Sequence, residues 1–192
     1  MAWKVELFTA PMGTTAAKRL TIEGQLRKAI EAEQFVLWYQ SIVDLESGRI
    51  SSGEALVRWQ HPTWGTVLPG EFIPICEETG LIVPLGEWIL RTVCAQNRAW
   101  QREGLLPIPI AINLSGQQLR GGDTVALVQQ ILAATGLDPR FLVLELTESI
   151  LMEDVGDAVT ALPALAALGV DVRRNVTPIS LLIDAVRVLR RA

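Results

Sequence analysis

The sequence predicts an α/β fold in which an antiparallel strand pair leads into parallel strands joined by crossover helices. Three observations predict it. Residues 35–45 (FVLWYQSIVDL) and 50–59 (ISSGEALVRW) are strand-like runs separated only by Glu46-Ser47-Gly48-Arg49, a link that suits a hairpin. Apolar runs at 108–114 (IPIAINL) and 141–146 (FLVLEL) alternate with helical stretches, the rhythm of β–α–β units. Proline opens and glycine closes the two helical stretches between the second run and the third, which is ordinary helix punctuation.

A chain of 192 residues can bury one good core, and 49% hydrophobic content argues for a globular state over disorder. The net charge of −4 offers no overall basic field, so DNA, RNA and anionic membranes are not expected partners. Cys76 and Cys94 fall in separate helical patterns without metal-type spacing, as reduced and buried thiols would. With no signal peptide and no apolar run of membrane-spanning length, the expected location is cytoplasmic.

In chain order, residues 1–15 are mixed, with Pro11 and Gly13 breaking any regular pattern, and residues 16–32 read as a helix through Leu20, Leu26, Ala29 and Ile30. The hairpin follows, then a turn-rich loop at 63–69. Helices are expected at 69–79, stopped by Gly80, and at 84–102, stopped by Gly104; in the second, Leu85, Trp88, Ile89, Val93 and Trp100 trace one core-facing stripe. After the strand at 108–114, Asp123 can cap a helix that Gly136 ends, with Val125, Val128, Ile131 and Leu132 facing inward. The strand at 141–146 is followed by a helix over 153–168, despite Pro163 in its interior. Residues 177–191 form a last helical pattern, with Thr177 as N-cap, Pro178 at the first position and Arg187, Arg190 and Arg191 at the carboxyl end.

The run 50–59 carries the chemistry. With a period of two, Ile50, Ser52, Glu54, Leu56 and Arg58 share one face, while Ser51, Gly53, Ala55, Val57 and Trp59 share the other. A carboxylate and a guanidinium on one strand face have two readings: they lie on the wet side of a two-sided strand, or they hold a cation and an anion side by side, as a metal-bound phosphate requires.

Glu54-Ala55-Leu56, followed by Val57-Arg58-Trp59, resembles the signature of the EAL domain family, the bacterial cyclic di-GMP phosphodiesterases. Other motifs agree in order and spacing. Residues 35–45 resemble the family's first strand, and His61-Pro62 follows the signature. Residues 69–81 (PGEFIPICEETGL) resemble the next helix, Asn113-Leu114-Ser115 the NLS element, and 145–152 (ELTESILM) the element after it. The match runs from about 20 to 170, and the lead-in resembles the linker between a GGDEF and an EAL domain. The resemblance implies a modified TIM-like (β/α) barrel, of which about five of eight strands are present, with reactive groups at the carboxyl ends of strands. It implies Mg2+ or Mn2+ held by Glu54, Asn113 and Glu145, oxygen ligands that suit a hard cation. Catalysis would rest on Glu54 and Glu145, with Glu148 capping a helix or orienting a ligand. Gln40, Leu56 and Arg58 would contact cyclic di-GMP, Arg58 at a phosphate; Ser41 replaces the proline that usually follows Gln40. His61 is a general base by residue type alone, or a turn-stabilising loop residue. Trp64 is a packing residue or a stacking platform for guanine.

The resemblance fails after residue 170. Family members continue into two aspartates and Phe-Gly-Thr-Gly; here those positions read Asn175, Val176 and Thr177-Pro178-Ile179-Ser180. The expected organisation is a lead-in over 1–17 and a truncated EAL-type domain over 18–192, with a divergent helix at 176–192. Three states follow: an impaired cyclic di-GMP phosphodiesterase, a cyclic di-GMP-binding module without turnover, or an interaction protein. The last would use an open sheet edge to form a homodimer or to dock on a complete EAL/GGDEF protein.

Overall fold

A computed structural model of the chain describes residues 10–120, 123–146 and 156–174. Helix α1 (Ala10–Glu31) leads into β1 (Phe35–Val43) and β2 (Ile50–His61), followed by β3 (Gly65–Val67), α2 (Pro69–Thr79) and α3 (Ile82–Arg102). Then come β4 (Ile110–Leu114), α4 (Gly116–Arg120), α5 (Thr124–Thr135), β5 (Leu142–Leu146), α6 (Gly156–Ala167) and β6 (Asp171–Arg174).

The hairpin is antiparallel as its short link requires, with Phe35 opposite Trp59 and Gln40 opposite Glu54. At its turn the Asp44 carboxylate accepts from both the backbone N–H and the hydroxyl of Ser47, at 2.8 and 2.6 Å. β2, β4, β5 and β6 are parallel, giving the order β1-β2-β4-β5-β6 with β3 beside β2. Each parallel step is bridged by helix, so the described residues form an α/β partial barrel in which β1 and the short β3 run against the other strands.

Alternation divides the sheet into two faces. Ile110, Ile112 and Leu114 of β4 and Leu142, Leu144 and Leu146 of β5 pack in one buried cluster with Leu90 and Val93 of α3, Val128 and Ile131 of α5, and Leu165 of α6. Phe35, Val57 and Trp59 join a second cluster with Ile22 and Leu26 of α1, Phe72 and Ile75 of α2, and Leu85 of α3. Leu56, Ala111 and Val143 are buried but belong to neither cluster, because they point to the other face, the barrel interior. Asn97 of α3 ties this layer to the strands: its Nδ2 donates to the carbonyls of Ile108 and Phe141, each at 3.2 Å, just before β4 and β5 begin.

The helix punctuation holds at Gly80 and Gly136. Both take the left-handed conformation, with φ 76° and 68°, that a side chain with Cβ resists, and both close their helices through the backbone N–H. Other expectations are corrected. The supposed loop 63–69 contains β3, a strand of only three residues that pairs Trp59 with Val67. α4 was not expected at all; it is a single turn of five residues. Asp123 stands at the N-cap of α5 but makes no side-chain cap bond there, while Thr124 donates its hydroxyl to the Gln118 carbonyl. One expectation is met rather than corrected: over its described part, the helix expected at 153–168 is present as α6 and runs through Pro163. Glu148, Asn175, Val176 and the expected helix at 176–192 lie outside the described residues.

Candidate functional site

The two readings of Glu54 and Arg58 separate on burial. Glu54 is 8% exposed and Arg58 3% exposed, so β2 does not present them on a wet face. They are not a simple ion pair either. Four residues along a strand span about 13 Å between Cα atoms, which makes Glu54 and Arg58 separate stations on the interior face. Leu56 lies between them and is buried.

Around Glu54 the sheet assembles a set of oxygen-bearing side chains. Glu54 is in register with Gln40 on one side and Ala111 on the other. Two residues beyond Ala111, on the same face, Asn113 donates from Nδ2 to Glu54 Oε1 at 2.8 Å. Asn113 is in register with Glu145 on β5, and Glu145 with Arg173 on β6. Burial raises the proton affinity of Glu54, against the opposing pull of the Asn113 hydrogen bond and the Arg58 charge. Burial also raises Glu145, the neighbouring Glu54 charge raises it further, and Arg173 acts the other way. Carboxylates held close in a desolvated place resist ionisation unless a cation accompanies them.

Arg58 has a different setting. Its Nη1 donates to the Val57 carbonyl at 2.9 Å, and its guanidinium carbon lies 5.0 Å from the centre of the Trp38 ring. Trp38 is opposite Leu56 on β1, so it shares the interior face. Arg58 Nε is buried with no hydrogen-bond partner among the described residues, as is Gln40 Oε1. A guanidinium propped on an indole, with a donor unspent, is suited to receive an anion.

The end of β4 is braced from outside. The Ser115 backbone N–H donates to Gln118 Oε1 at 3.0 Å, and α3 approaches Gln118 so closely that a side chain at Gly86 would push the Gln118 amide away. A Cβ there would stand 1.9 Å from Gln118 Nε2. This bracing holds the segment that follows Asn113.

His61 and Trp64 stand apart from the site. His61 is on the helix-facing side of β2, where its Nδ1 accepts from the backbone N–H groups of Thr63 and Trp64 at 3.2 and 3.1 Å. Its Nε2 lies 2.6 Å from Gln25 Oε1 of α1, and its ring stacks on Trp64 with 3.8 Å between centroids. Both residues build the β2–β3 turn; neither joins Glu54. Two side chains that the motifs did not single out do stand on the interior face, Trp38 and Arg173. Period-two alternation would have found Trp38, two residues before Gln40. Arg173 lies past the end of the motif match.

The donor chemistry gives a divided answer for a divalent cation. Glu54, Asn113 and Glu145 supply the carboxylate and carboxamide oxygens that a hard ion takes. Among the described residues, however, no group of three or more His, Cys, Asp or Glu converges, and Arg173 adds positive charge beside Glu145.

A sequence profile described as the EAL domain matches residues 23–173. The chain belongs to the EAL domain family. A relative from Pseudomonas aeruginosa, the bifunctional diguanylate cyclase/cyclic di-GMP phosphodiesterase MucR, is 40% identical over 165 residues, which make up 86% of this chain and 24% of that protein. The EAL chain therefore spans about a quarter of that relative's length. A solved structure of the PaMucR phosphodiesterase in complex with c-di-GMP is 41% identical, with a TM-score of 0.74 over 79% of this chain and 62% of that one. The EAL enzyme Bd1971, solved with cAMP and cyclic di-GMP bound, is 30% identical, with a TM-score of 0.76 over 83% of this chain and 44% of that one. The antiparallel first pair and the parallel run from β2 to β6 are thus the first part of an EAL TIM-like barrel. Among the described residues, no helix is long and apolar enough to cross a membrane.

Proposed function

We propose that this EAL chain binds cyclic di-GMP on the interior face of its partial barrel and hydrolyses it poorly or not at all. The observation that carries the proposal is the pairing of two stations on one buried face: Asn113 bonded to Glu54 at one, and Arg58 over Trp38 with its Nε unspent at the other. The likeness to proteins solved with cyclic di-GMP supports the choice of ligand.

In this reading Arg58 receives a phosphodiester, and its planar fork and full charge neutralise the bound oxygens. Leu56 forms an apolar floor between the stations, and the unpartnered Gln40 Oε1 accepts from a nucleobase edge. Glu54, Asn113 and Glu145 are the residues that would hold Mg2+ or Mn2+. The chemistry such an ion would supply is Lewis acidity at a phosphoryl oxygen and a lowered pKa of water near it. Glu148 is assigned to orient that part of the site. Hydrolysis is impaired because Asn175 and Val176 stand where the family's paired aspartates are expected, and a carboxamide and an isopropyl group cannot supply their charge. The test is chromatography of cyclic di-GMP incubated with the protein and Mn2+. Linear dinucleotide no higher than with the Glu54→Ala variant is expected; a clear excess overturns the impairment.

A second reading has its own observation. Among the described residues β1 lies at one end of the sheet, and near the hairpin turn Ile42, Val43, Leu45 and Ile50 are exposed. An apolar edge of this kind suits pairing with a second copy or with a complete EAL/GGDEF protein. Concentration-dependent mass by light scattering, abolished by Ile42→Lys, distinguishes it. Cytoplasmic action follows from the nucleotide chosen, an intracellular signal.

A further inference from the structure

The face that carries Glu54, Asn113 and Glu145 continues onto β6, and what it presents there is a cation. Glu145 and Arg173 are in register on adjacent parallel strands, so their side chains leave the same face about 4.8 Å apart at the backbone. Val172, between Asp171 and Arg173, turns the other way and packs against the helix-side core, which places both charged neighbours on the interior face. Asp171 aims the guanidinium: its Oδ2 accepts from Arg173 Nε at 2.8 Å and pairs with Nη2 at 2.6 Å. The Arg173 side chain remains 54% exposed, so it is open to an incoming ion, and a guanidinium cannot shed its charge to make room.

We propose that Arg173 is a built-in counter-ion for Glu145 that opposes divalent-cation binding on this face. The inference rests on the assignment of Glu54, Asn113 and Glu145 as the cation-binding set. A divalent ion beside Glu145 gains the carboxylates but meets a guanidinium rooted one strand away, whose charge Asp171 offsets in part. The strand spacing is shorter than the screening length of about 8 Å at physiological salt, so the remaining repulsion is felt. Arg173 also occupies Asp171, the one further carboxylate on this face of β6. Arg173 therefore acts twice, by charge and by sequestering a ligand. It is a specificity-determining residue, one that moves the site away from metal and toward recognition of an anion by guanidinium groups.

The experiment is a Mn2+ titration of the intact chain followed by electron paramagnetic resonance, which reads metal binding without turnover. Arg173→Ala is expected to bind Mn2+ about tenfold more tightly than the parent chain, and Arg173→Lys, which keeps the charge, to gain much less. The gain should vanish in Arg173→Ala/Glu145→Gln. Equal Mn2+ binding by the parent chain and Arg173→Ala overturns the inference, and so does a gain that survives loss of the Glu145 charge. Parent-chain binding that is already strong and is lost in Glu54→Ala and Glu145→Gln would uphold the ligand set while removing Arg173 from it. A gain in Arg173→Ala that ignores both glutamates would refute the ligand set itself.

Discussion

Asn113 Nδ2 donates to Glu54 Oε1 across 2.8 Å, joining the middle of β2 to the end of β4 over 59 positions of sequence. The bond matters because Glu54 is buried and faces the barrel interior. Replacing Asn113 by alanine leaves a buried carboxylate without this donor, a loss of about 1–3 kcal/mol. Asn113→Ala is expected to lower the unfolding free energy in urea by that amount. In a Glu54→Gln background, where a carboxamide replaces the charge, the same substitution should cost distinctly less. Equal costs in both backgrounds would show the bond to be incidental.

Gly86 and Gln118 are coupled by contact. A methyl group at position 86 would displace the Gln118 amide and break its bond to the Ser115 N–H. Gly86→Ala should therefore destabilise the parent chain by about 1 kcal/mol, the lost bond outweighing the helix propensity gained. In a Gln118→Ala background nothing is displaced, and Gly86→Ala should stabilise by up to about 1 kcal/mol. The reversal of sign, read from thermal or urea unfolding, is the measurement.

Cys76 and Cys94 are buried, and burial pushes each thiol from an ordinary 9.0 up to about 12, with the Glu77 charge adding to the effect at Cys76. Raised values mean that folding protects the neutral thiol. That contribution is complete below pH 9, where the unfolded thiols are also neutral, and is lost between pH 9 and 12 as the unfolded chain ionises first. The urea midpoint should fall across this window, less steeply in Cys76→Ala/Cys94→Ala. At pH 8 a thiol reagent should label neither cysteine until the chain unfolds.

The fold was legible wherever a pattern ran long enough to show its period. Ile50 to Trp59 alternated cleanly, so both faces of β2 could be written down beforehand. The helix at Pro69–Thr79 was marked at both ends, by Pro69 and Gly80, and its bounds are those expected. β3 and α4 escaped because three and five residues are too few to display a period. Asp123 had the right residue type at the right place, but its side chain makes no cap bond; the Thr124 hydroxyl donates to the Gln118 carbonyl, which ties the helix start to α4 rather than capping it.

For the candidate site, motif order placed Glu54, Asn113 and Glu145 on three strands, but it could not say that Asn113 touches Glu54. Nor could spacing tell a solvent face from a barrel interior, since both alternate with a period of two. Arg173 was invisible for another reason: it is the last residue of the EAL profile match and belongs to none of the recognisable motifs, and only its register with Glu145 reveals its place.

The most direct measurement is equilibrium dialysis of the protein against cyclic di-GMP with Mn2+, followed by chromatography of both chambers. Retention of uncleaved nucleotide by the parent chain is expected, weakened about tenfold or more by Arg58→Ala and substantially by Arg58→Lys, which keeps the charge but loses the planar fork. An even distribution of intact nucleotide, or retention indifferent to Arg58, would contradict binding on this face. Linear dinucleotide above the Glu54→Ala control would contradict the loss of turnover.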